Sequence, residues 1–220
     1  MNSRTLFLLT IILLMLCGAR SANAAIMITA TPSAASYEVG DSGVLNLLIY
    51  SDSSDELDSY FYGLNITGGG VVFTDPQSED FLTNGDYVFS GRSANFLNTW
   101  PATLVGGGGS TITVGDNTED PLLPFTPLPI ALPGIGSPKM LAQLEFEAIS
   151  AGLVEFDFDP FSTFFDQSFN DFALTATGTS ITVNASAVPE PASILILSVA
   201  CVGAGWTHRR RKRTAAVTAS

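Results

Sequence analysis

Between residues 25 and 188 this chain of 220 residues has no cysteine and no histidine, and its only cations there are Arg92 and Lys139. Each absence closes a class of chemistry. The two cysteines, Cys17 and Cys201, lie towards the ends, so the middle of the chain holds no disulfide and no thiolate metal site. The single histidine, His208, lies close to the C-terminus, which excludes Ser-His-Asp and Cys-His arrangements and histidine-ligated zinc from the middle. Lysine chemistry would rest on Lys139 alone. Against two cations stand twenty of the 21 carboxylates, a net charge of −18 for this stretch, which the whole-chain value of −12 conceals. Such a body repels nucleic-acid phosphates and anionic membrane surfaces, and favours solubility, divalent cations or cationic partners. Long hydrophobic runs are missing from it too; they occur only at the two ends.

At the front, Arg4 supplies a positive charge, Leu6 to Leu16 form an almost unbroken apolar run, and Ala22-Asn23-Ala24 is a small-x-small cleavage site. This is the pattern of a secretory leader, 1–24, cut after Ala24. A lipoprotein reading through Leu14-Met15-Leu16-Cys17 is disfavoured, because Leu16 is bulky where a small residue should precede the cysteine. At the back, Pro189-Glu190-Pro191 forms a stiff collar before Ala192 to Trp206, an uncharged run that ends in Thr207-His208 and the cluster Arg209, Arg210, Arg211, Lys212 and Arg213. As a helix 192–206 reaches only about 22 Å, short of a hydrocarbon core of about 30 Å. Trp206 at the interface and snorkelling arginines make up the difference, and the cationic cluster keeps that end on the cytoplasmic side. This order of parts, over 188–213, resembles the PEP-CTERM sorting signal of bacterial exported proteins. The resemblance implies recognition and removal by an exosortase-type membrane protease, with the protein anchored in the inner membrane in transit and then placed at the cell surface or in extracellular matrix. The competing reading is a plain C-terminal membrane anchor. Residues 214–220 read as unstructured tail.

What remains, 25–187, is long enough for one domain with a proper core. Its dominant signal is period-2 alternation. Met140, Ala142, Leu144, Phe146 and Ala148 alternate with Gln143, Glu145 and Glu147; after Ala151-Gly152 the pattern resumes with Val154, Phe156 and Phe158 against Glu155, Asp157 and Asp159, and Pro160 ends it. The two segments read together as a hairpin. Further strands are expected over 26–31, 44–51, 59–67, 71–74, 87–90, 102–105, 111–114, 172–176 and 180–184, separated by Gly, Asp, Asn and Ser. Gly106 to Gly109 read as a hairpin tip; with no Gly-Lys-Ser/Thr ending they are not a phosphate loop. Residues 116–138 carry six of the twelve prolines and read as a long extended loop across one end or one sheet. No sustained 3.6-residue periodicity occurs, and the fold class expected is all-β, an antiparallel sandwich.

Tyr37-Glu38-Val39-Gly40-Asp41 leading into 44–50, the strand 60–66 with Asp75-Pro76 after it, and the alternating run from Met140 to Ala148 before Ala151-Gly152 resemble the cohesin-like β-sandwich, of the jelly-roll type. The resemblance implies the fold and carries over no dockerin-binding residues. The remaining chemistry is that of oxygen. Paired acids could serve glycoside hydrolysis, and the alternating triplet Glu155, Asp157 and Asp159 projects three carboxylates from one strand face; alternation of acid with Phe is also what a solvated strand face looks like. Calcium is the better case: acids cluster at Asp52, Asp55, Glu56 and Asp58, the preferred site, at Asp116, Asn117, Glu119 and Asp120, and at Asp157, Asp159 and Asp166, none with EF-hand spacing. Tyr60, Phe61 and Tyr62 put aromatic surface on both faces of their strand, and Trp100 before Pro101 is a second candidate for stacking on sugar rings. The expected function is a non-enzymatic, exported binding or structural module, with a carbohydrate-binding module, calcium-dependent or not, as the first competitor and a carboxylate glycoside hydrolase as the second.

Overall fold

The computed structural model describes residues 25–53 and 55–186. The leader 1–24 with Ala22 and Ala24, the motif Pro189, Glu190 and Pro191, the run 192–206 and the cluster Arg209 to Arg213 lie outside the described residues. No helix among the described residues is long and apolar enough to cross a membrane.

Alternation of β-branched and aromatic residues with polar ones produces strands with one dry face. The first sheet holds β1 (Ala25–Pro32), β3 (Ser42–Ser51), β6 (Val71–Phe73), β10 (Lys139–Ala148) and β13 (Ala173–Thr177), in the order β13-β1-β3-β10-β6. The second runs β2-β14-β11-β5-β8-β7, formed by β2 (Ser36–Glu38), β5 (Ser59–Thr67), β7 (Thr103–Gly106), β8 (Thr111–Asn117), β11 (Gly152–Phe158) and β14 (Thr179–Asn184), with β12 (Thr163–Phe165) also on β5. A two-residue pair, β4 (Glu56–Leu57) with β9 (Ile130–Ala131), fastens the proline-rich loop to the body. Between β6 and β7 lie a one-turn 3-10 helix (Asp80–Thr83) and a short α-helix, α1 (Ala94–Asn98). All these pairings close between Ala25 and Asn184.

The inner faces interlock through rings and aliphatics. Leu45, Leu47 and Ile49 of β3 and Leu144 and Phe146 of β10 are fully buried, as are Tyr62 and Leu64 of β5 and Val154 and Phe156 of β11. Phe146 meets Phe156 across the two sheets, with ring centroids 5.4 Å apart, and Tyr37 meets Phe146 edge-on at 5.1 Å. Each such side chain contributes about 1.5–3 kcal/mol by leaving water, which is how a body without disulfides is held.

Four expectations are corrected. β10 and β11 are not a hairpin: β10 pairs with β3 and β6, whereas β11 pairs with β14 and β5 in the other sheet. The turn at Ser150 and Ala151 is an arch between sheets, and the two apolar faces look at each other instead of lying side by side. The sandwich is mixed, not wholly antiparallel, since β1 with β13 and β2 with β14 are parallel. Residues 87–90 do not form a strand: Tyr87 makes an isolated parallel bridge to Met140, and 88–90 are turn residues whose Val88 and Phe89 side chains are buried with that of Tyr87. Finally, β10 carries a bulge between Met140 and Ala142, which turns Leu141 inward beside Ala142.

Candidate binding corner

The strand β8 places Ile112, Val114 and Asp116 on one face by its period of two, so a carboxylate enters the core at the strand's end. The Tyr87 hydroxyl donates to Asp116 Oδ2 at 2.7 Å and shares a hydrogen bond of 2.8 Å with the Tyr60 hydroxyl, which reaches the Leu141 carbonyl at 3.4 Å. The other oxygen, Asp116 Oδ1, accepts the backbone N–H of Asn95 at 3.1 Å and that of Asn117 at 2.8 Å. Burial raises the Asp116 pKa above the ordinary carboxylate value, against the opposing hydrogen bonds from Ser93, Tyr87, Asn95 and Asn117. Burial likewise pushes the Tyr60 and Tyr87 hydroxyls well up, so both stay protonated donors.

This network seats α1. Asn95 Nδ2 donates to the Gly115 carbonyl at 2.6 Å, and Ser93 Oγ caps the helix by accepting the Phe96 N–H at 3.0 Å. The helix stops at Thr99, whose φ of 56° is left-handed, and the chain turns through Trp100 and Pro101 into the edge strand β7. Glu79 Oε1 holds that turn, accepting the N–H groups of Ala102 at 3.0 Å and Thr103 at 2.8 Å.

The result is an apolar corner in an acidic surface. Phe61 of β5 is 53% exposed, Trp100 50%, and Phe96 and Leu104 are exposed beside them. The Phe61 ring lies over Gly115, where a Cβ would come within 3.3 Å of ring carbon Cδ2, so the missing side chain leaves the ring room to lie there. Phe61, Asn95, Pro101, Leu104 and Thr113 line a depression of about 370 Å³, and Phe96, Thr99 and Trp100 line a second of about 420 Å³ that shares Asn95 and Pro101 with it. Both are open, and their chemistry is that of ring stacking and apolar contact with a few hydroxyl and amide groups.

In the triplet at 60–62, Tyr60 and Tyr62 enter the core and Phe61 alone faces outward; Trp100 is also outward. The preferred calcium acids do not converge: among the described residues no three Asp, Glu, His or Cys side chains gather as a ligand set. Asp52 accepts the Ala25 N–H at 3.1 Å, Asp55 accepts the hydroxyls of Ser51 and Ser53, Glu56 is exposed on β4, and Asp58 is buried and accepts from Thr118 Oγ1. The oxygens of Asp52, Asp55 and Asp58 are each taken by donors of the protein itself. Asp116, Glu119 and Asp120 likewise brace loops, and Asp166 closes the turn to Asn170 with three hydrogen bonds that lower its pKa, the Asn170 side chain foremost. Glu155 and Asp157 border a depression of about 360 Å³ with Gly178, Thr179 and Ser180, while Asp159 turns back to accept the Phe161 N–H at 2.8 Å. The Tyr60–Tyr87–Asp116 network was missed by sequence reasoning, although extending the alternation of Ile112 and Val114 by one step points to it.

No family profile and no curated protein matches this chain. Among solved structures it is similar to cohesin modules: one from a family 33 glycoside hydrolase of Clostridium perfringens, at 10% identity and a TM-score of 0.46, over 72% of this chain and 98% of that one. A non-cellulosomal cohesin of the archaeon Archaeoglobus fulgidus aligns at 14% identity and a TM-score of 0.43, over 73% of this chain and 91% of the other. The cohesin of a cohesin–dockerin complex from Clostridium thermocellum aligns at 11% and 0.43, over 74% and 94%. The sandwich itself is read from the sheet order and register above.

Proposed function

We propose that this protein is an exported, non-catalytic binding module that meets its ligand at the Phe61–Phe96–Trp100–Leu104 corner. It is made with the leader 1–24 and with a sorting segment, 188–213, that an exosortase-type protease recognises at Pro189, Glu190 and Pro191. The observation that carries the binding reading is the pair of half-exposed rings, Phe61 and Trp100, held beside Pro101 and Leu104 by a fully bonded buried network. Large apolar side chains fixed at a surface, with their ordering already settled in the free protein, are what a binding site needs and what a core does not.

A glycan is the ligand favoured by two rings flanked by Asn95, Thr103 and Thr113, since sugar faces are apolar and sugar edges need hydroxyl and amide partners. Retention on a panel of immobilised polysaccharides, with and without chelator, tests this. Retention that falls about tenfold or more in Phe61→Ala and Trp100→Ala is expected; retention unchanged in both variants would falsify the assignment of the corner, and its loss on chelation would bring calcium into the site. The sorting half is tested separately by mass spectrometry of the protein from its own cell: a mature chain from Ala25 to the Pro189–Pro191 region is expected, and an intact Arg209–Arg213 end would make the segment a plain anchor.

A further inference from the structure

The proline-rich loop ends in a tip that the binding corner does not use. We propose that this tip, Pro121 to Thr126, is an anchor for a lipid interface, inserting Leu122, Leu123 and Phe125 among the head groups of a zwitterionic bilayer. Leu122 is 86% exposed and Phe125 77%, with Leu123 exposed between them, and no charged residue occurs from Pro121 through Pro138. Three large apolar side chains on one uncharged tip are more than scattered surface exposure accounts for.

The backbone N–H groups of the tip are already partnered. Pro121, Pro124 and Pro127 have no N–H, and every other backbone N–H from 122 to 128 is bonded inside the protein. Leu122 donates to Asp120 Oδ1 at 2.8 Å, Leu123 to the Asp120 carbonyl at 3.1 Å, and Phe125 to Glu119 Oε1 at 3.0 Å. Thr126 donates to the Leu123 carbonyl at 3.1 Å and Leu128 to Thr118 Oγ1 at 3.2 Å. Donors already paired within the protein lower the cost of entering a water-poor layer, where each unpaired donor is penalised.

The tip is also tied to the body and holds one residue in an unusual conformation. Phe125 has a φ of 62°, unusual for a bulky residue, and the buried Glu119 that takes its N–H is tied to α1 by Asn98 Nδ2 at 2.7 Å. Arg92 Nη1 grips the Leu128 and Pro129 carbonyls at 3.4 and 3.1 Å behind it. Little conformational freedom is then lost on insertion. Charge selects the surface: Glu119 and Asp120 at the base, in a body of net −18, oppose anionic lipids and suit a layer that displays ammonium groups, and they limit entry to the interface.

The body 25–186 has no cysteine, so Thr126→Cys carries a single environment-sensitive fluorophore, with Ala151→Cys at the opposite end of the sandwich as control. With phosphatidylcholine vesicles, the probe at 126 is expected to shift to the blue and to be quenched by a lipid-borne quencher while the probe at 151 stays unchanged. Binding is expected to weaken about tenfold or more in Leu122→Ser/Leu123→Ser, whose melting temperature is unchanged, and to be weaker on phosphatidylglycerol vesicles at low salt. No shift at 126, an equal shift at 151, or binding that survives the double variant overturns the proposal. Binding only to membranes that carry protein overturns it as well, in favour of an apolar pocket on a protein partner.

Discussion

A buried carboxylate with a raised pKa leaves a mark on stability. The unfolded Asp116 loses its proton near pH 3.9, whereas the native carboxyl, desolvated between Tyr87 and Asn95, keeps it to higher pH. In that window the native state binds more protons than the unfolded state, so this residue's contribution falls as pH rises from about 4 until the native group has ionised. Asp116→Asn can keep the network: its Oδ1 accepts from Asn95 and Asn117, its Nδ2 donates to Tyr87, and Tyr87 then donates to Tyr60. The stability of the wild type minus that of Asp116→Asn, from urea denaturation, is therefore expected to decline from pH 4 upward; a pH-independent difference would show that the carboxyl ionises as in the unfolded chain. Tyr62, the neighbour on β5, contrasts with this satisfied set, for among the described residues its buried hydroxyl is the polar side-chain atom without a partner.

At the level of the elements, strand positions were legible because alternation reports burial directly. The segment 59–67 was expected as a strand and is one, with Tyr60, Tyr62 and Leu64 inward and Phe61 outward. Partners were not legible, because alternation says which side chains share a face and is silent on which strand lies alongside. The arch from β10 to β11 and the passage from β13 to β14 both change sheets over turns short enough for hairpins. At the second, Gly178 brings the chain so close to β11 that a Cβ would lie 2.5 Å from the Phe156 carbonyl oxygen. Gly178→Ala must displace backbone there and is expected to lose about 1–3 kcal/mol of stability, while Gly136→Ala, with open space around it, changes little. Equal effects in thermal melts would mean that the crossing is looser than this contact implies. The helix α1 escaped sequence reasoning because five residues cannot display a helical period, and its place depends on Asp116 and Gly115, twenty residues away.

For the whole molecule, charge and core pull in opposite directions. The body holds twenty carboxylates against two cations, and the ion pair between Lys139 and Asp86, 3.9 Å apart, is exposed and weak. Screening relieves repulsion and has little attraction to remove, so the melting temperature of the body is expected to rise as salt goes from about 0.01 to 0.15 M, the Debye length falling from about 30 to about 8 Å. A fall would reveal ion pairs that matter more than this one. Composition and periodicity alone determined the all-β class, the lack of histidine and thiol chemistry, the acidity and most strand positions, since these follow from residue type and from neighbours along the chain. Only the tertiary structure decided which strands pair, that Phe61 and Trp100 face out near one another while Tyr60 and Tyr62 face in, and that the acids of 52–58 and 116–120 brace loops instead of converging. Those outcomes depend on residues far apart in sequence competing for the same space and the same donors, which no local pattern records.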